Sequence, residues 1–140
     1  MLEGGIMATE KTYLNKLDQW WRDEIRSVGE CEYCGKQGTA RQDGKMVVGL
    51  QGHHLILKDP PDWRSKFRHD ISNGICLCDE HHSKYNQWFS PHGFGDAQRA
   101  FWDWVIKERH GQFCWYMDNY DDKRSRLVTY EQTYIDLIGE

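Results

Sequence analysis

The sequence has no apolar run approaching the roughly 20 residues that a bilayer crossing requires, so no membrane partner is expected. It has no basic segment leading into an apolar stretch, so no secretory signal is expected either. It also lacks an excess of positive charge. Eighteen Lys and Arg stand against 22 Asp and Glu, for a net charge of −4. That balance excludes a broad non-specific coat on nucleic acid. It leaves room for a local phosphate groove, which takes only a few cations. An even cysteine count is missing as well. Five cysteines in a chain without a secretory signal argue against a disulfide framework, so paired cysteines read first as metal ligands. Internal repeats and low-complexity segments are absent too, and 140 residues suffice for one domain with one core.

What remains is an ordinary soluble composition, 29% charged and 39% apolar, with seven tryptophans that read as core packing. Residues 1–8 read as a disordered leader. Residues 9–140 read as a single domain, with a core over 31–89 and a helical extension over 90–140. Leu14, Leu17, Trp21, Ile25 and Val28 recur at spacings of three and four, which predicts a helix over 9–28. Gly29 stands where a helix-ending glycine belongs. Met46 to Ile56 reads as a strand, with Gly49 and Gly52 marking a bulge or a close backbone approach. Pro60-Pro61 excludes regular structure from the loop that follows. Asn73 to Cys78 reads as a second, antiparallel strand. Helices are predicted over 79–89 and 96–109, the latter capped by Asp96 and ended by Gly111. Phe113 to Met117 could form a short strand, Asp118 to Arg126 an exposed charged run, and Thr129 to Ile138 a terminal helix.

Two constellations carry chemistry. Cys31 and Cys34 form a Cys-x2-Cys knuckle, with Gly35 permitting its turn. Cys78 and His81 form a Cys-x2-His. Four thiolate and imidazole ligands from two knuckles suit tetrahedral Zn²⁺. Cys76 competes with Cys78 but lies inside the strand, where a buried apolar role fits better. Cys114 reads as buried.

The second constellation is His53, His54, Asn73 and His82. Neighbouring strand residues point to opposite faces, so His53 and His54 could serve a metal and a water separately. A histidine with a pKa near ~6.5 can accept a proton at neutral pH. Lys58, Arg64, Lys66 and Arg68 in the loop, and Lys84 beyond His82, are candidate phosphate contacts, Arg68 foremost. Lys123, Arg124 and Arg126 read as a solvated run. His69, His92 and His110 read as surface residues, His92 being the one that could border the site. Trp63 and Trp88 could stack on bases, but packing is the simpler reading.

The run His53-His54-Leu55-Ile56, then Asn73-Gly74-Ile75-Cys76-Leu77-Cys78, then His81-His82, resembles the HNH endonuclease family with its ββα-metal hairpin and helix. The Cys31/Cys34 knuckle resembles the zinc-containing phage and prophage branch of that family. The resemblance covers about residues 31–86. It implies an α+β fold stapled by a structural zinc. It implies a catalytic divalent metal (Mg²⁺, Mn²⁺, Ni²⁺ or Zn²⁺) on His53 and His82, His54 as general base, and Asn73 as the residue that ties the loop and orients that base. Asn86 falls where some members carry a further ligand. The implied activity is hydrolysis of DNA to 5′-phosphate and 3′-hydroxyl ends, in the cytoplasm of a bacterial host, during phage DNA processing or packaging with phage packaging proteins as partners. His81 in place of a fourth cysteine and the long loop between His54 and Asn73 depart from the common pattern. Two rival readings stand beside it: a catalytically silent zinc-stabilised nucleic-acid-binding module, and an accessory subunit that cuts only with a larger partner, which the acidic charge and the aromatic-rich C-terminal half favour over the silent module.

Overall fold

The computed structural model describes residues 2–40, 47–56, 67–120 and 129–139. The chain is α+β. Helix α1 (Leu2–Arg26) comes first. A two-residue strand β1 (Thr39–Ala40) pairs antiparallel with β2 (Val47–Val48). Strand β3 (Leu50–His54) pairs antiparallel with β4 (Gly74–Cys78). Four helices follow: α2 (Asp79–His82), α3 (Asp96–Glu108), α4 (His110–Asn119) and α5 (Tyr130–Ile138). Among the described residues no helix is long and apolar enough to cross a membrane.

Helix α1 is already formed at Leu2, so residues 2–8 extend it where the sequence suggested a leader. Once a helix is nucleated, each added residue gains a hydrogen bond, and Gly4 and Gly5 do not stop it. The buried stripe is Leu17, Trp21 and Ile25. Val28 does not join it. The helix has ended, Gly29 takes a φ of +82°, and Val28 is exposed.

The strand expected over 46–56 is two strands. Gly49, at φ +90°, breaks it and sends β2 and β3 to different partners. In the β3–β4 pair, Gly52 lies opposite Cys76 and His54 opposite Gly74, so these four share one face. Helix α1 lies on that face, close enough that side chains at the two glycines would collide with it. A Cβ at Gly52 would come within 2.9 Å of Trp21 Cζ3, and one at Gly74 would overlap the Ile25 side chain. Ile75 and Leu77 alternate to the opposite face and join Phe89, Phe101 and Val105 in the same core. Gly74→Ala is therefore expected to destabilise the protein by about 1–3 kcal/mol through overpacking. Urea unfolding should show this as a lower midpoint with an unchanged slope.

Three further expectations change. The helix predicted over 79–89 is the single turn α2. Ser83 turns extended, and its side chain accepts the Tyr85 N–H (3.1 Å), while Asn86 Oδ1 accepts those of Trp88 (2.9 Å) and Phe89 (3.0 Å). Such short polar side chains offer the backbone an alternative to the helix ladder. The segment 113–117 is helical, inside α4, and Gly111 lies in that helix because α3 already ends at Glu108, with Arg109 between the two. Gly95, not Asp96, takes the capping position before α3, and Asp96 is the first residue of the helix. Helix α5 begins as predicted, with Thr129 Oγ1 accepting the Gln132 N–H at 2.9 Å. It packs on α1, where Tyr13 and Tyr134 meet at 5.2 Å.

Candidate metal centres on one hairpin

The four residues of the two knuckles converge at the end of β4. Cys31, Cys34, Cys78 and His81 each place one ligand atom within 4.8 Å of the others, a cluster that can hold a metal ion such as zinc. Local backbone geometry builds the first half. The Cys31 N–H donates to Lys36 O (2.9 Å), the Gly35 N–H to Cys31 O (2.8 Å), and Gly35 sits at φ +78°. Glu32 fastens this knuckle to β4: its N–H donates to Cys76 O (2.8 Å) and its carboxylate accepts the Cys76 N–H (2.7 Å). Arg109 Nε holds the same carboxylate at 2.8 Å.

The spacing fits a tetrahedral ion. Zn–S bonds of about 2.3 Å put two sulfurs about 3.8 Å apart in a tetrahedron, and Cys34 and Cys78 Sγ are 3.8 Å apart. His81 Nδ1 is 3.2 Å from Cys78 Sγ. Burial, with the charge of the neighbouring Cys31, pushes the Cys78 thiol up to about 11. Three sulfurs so close cannot all ionise without a cation among them. Tyr33 and Phe89 close over the cluster, stacked at 3.7 Å, and both meet His81 edge-on. Cys76 lies in the strand interior as expected, and burial followed by Glu32 pushes its thiol up to about 12. Cys114 is exposed on α4, against expectation.

The second cluster lies on the opposite face of β3. His53 is buried and points toward Phe101 and toward His82 and His92, with ring centroids 5.3, 5.4 and 4.8 Å away. His82 and His92 bring their Nε2 atoms within 3.2 Å of each other. All three residues place one nitrogen within 4.8 Å of the others. Two ligand nitrogens about 2.0–2.1 Å from one ion stand roughly 3.0–3.4 Å apart, which matches the His82–His92 separation. Burial, then the charges of His92, His82 and His54, holds His53 well below the ordinary histidine value. Burial and His92 lower His82 to about 4, with Asp79 opposing. Both imidazoles are thus neutral at pH 7, the form that binds metals.

His92 is the residue that motif spacing does not reach. It arrives because the loop after α2 closes on itself. Ser90 Oγ donates to Ser83 O (2.7 Å), the Ser90 N–H to Ala97 O (3.0 Å), and Asn86 Nδ2 to Glu80 O (3.3 Å). Asn86 serves as a loop brace and is not among the three residues that converge. The cue in the sequence is the Ser-Pro-His-Gly turn at 90–93.

His54 turns to the α1 face. Its ring stacks on Trp21 at 3.8 Å and 7°, and its Nε2 lies 2.9 Å from Arg68 O. A carbonyl only accepts, so Nε2 carries a proton, and in the neutral ring the lone pair is then on Nδ1. Asn73 is fully buried and ties the surrounding backbone. Its Oδ1 accepts the Ile56 N–H (2.6 Å), and its Nδ2 donates to Ile56 O and Phe67 O (3.0 Å each).

Arg68 is not placed as a phosphate contact. It is buried, with Nε and Nη2 on the two Asp18 carboxylate oxygens at 3.1 and 3.0 Å. His69 is buried too, against expectation, and donates from Nε2 to Asp18 Oδ1 at 2.7 Å. Lys84 is exposed, its Nζ 5.2 Å from the Tyr85 ring. Lys58, Arg64, Lys66 and Trp63 lie outside the described residues, as do Lys123, Arg124 and Arg126. Trp88 is 83% exposed, so it does not pack in the core.

No family model matches this sequence, and no curated protein or solved structure matches it.

Proposed function

We propose that the chain is a metal-dependent endonuclease of the HNH type, hydrolysing DNA phosphodiester bonds. One observation carries the reading. The adjacent pair His53 and His54 divides across β3, one nitrogen joining the His82–His92 cluster and the other ring held with its lone pair on Nδ1. That division gives metal binding and proton acceptance to two different side chains, the two tasks that phosphodiester hydrolysis needs. In this reading His54 Nδ1 takes the proton from the attacking water. His53, His82 and His92 would hold a divalent ion, which supplies charge neutralisation at the phosphate and at the departing oxygen. Asn73 keeps the strand and the 67–70 segment in register beside His54. The Cys31–Cys34–Cys78–His81 cluster would hold a structural zinc that pins the loop to the hairpin.

The accessory-subunit reading draws support from the net charge of −4 and from the engagement of Arg68 with Asp18, which leave few described cations for DNA. Plasmid nicking by the isolated chain separates the two readings. Incubation with Mg²⁺, Mn²⁺, Ni²⁺ or Zn²⁺ is expected to produce open circles with at least one metal. His82→Ala and His92→Ala are each expected to lower the rate by at least about 10–100-fold, the cost of losing even a group that only supports a metal ligand, with melting within a few degrees of wild type. His81→Ala is expected to do the reverse, lowering stability more than the rate in surviving protein. Full cleavage by His82→Ala would refute the metal site. Absence of cleavage with every metal, in protein that holds its zinc, would favour the accessory subunit.

A further inference from the structure

Helix α1 does more than cover the hairpin. It grips the short 67–70 segment at two points. Asp18 takes Arg68 Nε and Nη2 and His69 Nε2 on its carboxylate, and Trp21, three residues on, donates its Nε1–H to Asp70 O at 2.9 Å. Between those anchors stands the Arg68 carbonyl, which accepts the His54 Nε2–H. Trp21 also covers the flat of the His54 ring, at 3.8 Å and 7°. One helix therefore sets both the face and the edge of the imidazole.

We propose that Asp18 and Trp21 are positioning residues for His54, holding its imidazole in one orientation with a proton on Nε2. The proposal rests on the reading of His54 as the proton acceptor. An imidazole ring can rotate about its Cβ–Cγ bond, and its two tautomers differ little in intrinsic energy. The carbonyl of a residue in a turn selects one tautomer only if that turn is itself fixed. Asn73 fixes it at Phe67 from the strand side. Asp18 and Trp21 fix it at Arg68, His69 and Asp70 from the helix side. Burial opposes the charge on Asp18, but hydrogen bonds from His69 and Arg68 outweigh it and hold the carboxyl well below the usual carboxylate range. Asp18 thus stays an acceptor for both partners at any working pH. The sign of the pairing matters: an amide at position 18 could accept only through one oxygen and would direct an N–H at Arg68 or His69.

The test uses the full chain, labelled with ¹⁵N at histidine. The His54 ring is assigned by its loss in His54→Ala, and its nitrogen shifts report the tautomer whether or not the protein cuts DNA. Wild type is expected to show a single Nε2–H form. Asp18→Asn is expected to show a mixture of tautomers, with kcat for plasmid nicking lowered about 10–100-fold and KM within about twofold, as small misplacements of a reacting group do. Asp18→Glu, which keeps the charge, should recover part of kcat. Trp21→Phe keeps a stacking ring but removes the bond to Asp70. It is expected to shift the same His54 signals and lower kcat less, and it carries the test by itself if Asp18→Asn does not fold. Wild-type His54 signals and kcat in either folded variant would overturn the proposal while leaving the endonuclease reading intact. A wild type that cuts no DNA alone, with the tautomer mixture still appearing in the variants, would sustain the positioning and overturn the reading of the isolated chain as an endonuclease.

Discussion

Cys31→Ser is expected to abolish tight zinc binding and to lower the melting temperature by at least about 10 °C. Metal content should fall from about one zinc per chain to near none, and chelation of the wild type should reproduce the loss. The magnitude follows from the energetics. Structural zinc sites of this donor type contribute apparent binding energies of about 10–16 kcal/mol, and that energy is folding energy. It matches or exceeds the roughly 5–15 kcal/mol total stability of an ordinary domain. The site also joins parts of the chain distant in sequence. Cys31 and Cys34 follow α1, Cys78 ends β4, and His81 stands on α2. Freed of the ion, sulfurs 3.8 Å apart would have to share protons in a site where burial raises the cost of charge. Elemental analysis with a thermal melt checks the prediction. An unchanged melting temperature together with absent zinc would sink the structural role.

His54→Ala carries the second large effect. Removing a general base costs about 10²–10⁴-fold in rate, and nicking by this variant is expected to fall in that range. The fold should survive. His54 is only partly buried, and its neighbours Gly52, Gly74 and Trp21 retain their packing. The loss of the stacked ring at 3.8 Å from Trp21 should cost about 1–2 kcal/mol. Metal uptake by the His53–His82–His92 cluster should persist, since His54 faces away from it. That combination distinguishes a lost proton acceptor from a lost metal. A variant that cuts at the wild-type rate would mean that another group takes the proton. His53→Ala gives the complementary result, with metal uptake and cleavage falling together.

Much of the site follows from local rules. Strand alternation alone sends His53 and His54 apart, and the antiparallel register then delivers His54 opposite Gly74. Cys-x2-Cys and Cys-x2-His each build half a cluster within one turn of backbone. Helix α1 stops at Arg26, before the expected Val28, and Gly29 at φ +82° follows the turn; Gly52 and Gly74 are glycines because the α1 side chains touch the sheet there. The helix expected over 79–89 failed because Ser83 and Asn86 bond to nearby N–H groups, a competition that apolar periodicity does not register. The strand expected at 113–117 failed for a related reason. A short aromatic run fits either a strand or a helix, and packing of Trp102 on Tyr116 at 4.7 Å belongs to the helical choice.

The sequence by itself determined how Cys31, Cys34, Cys78 and His81 pair into knuckles and that His53 and His54 part across a strand, because ligand spacing and strand period act over a few residues. Tertiary structure alone decided what surrounds them. His92 reaches His82 through a loop closed by Ser90 and Asn86. Arg68 left the list of phosphate contacts because Asp18, fifty residues earlier, binds its Nε and Nη2 in a buried pair. Charged side chains are drawn to whichever opposite charge shares their buried space, and that neighbour is set by how α1 lies across the sheet. The same packing turned Trp21 from one core tryptophan among seven into the face on which His54 rests.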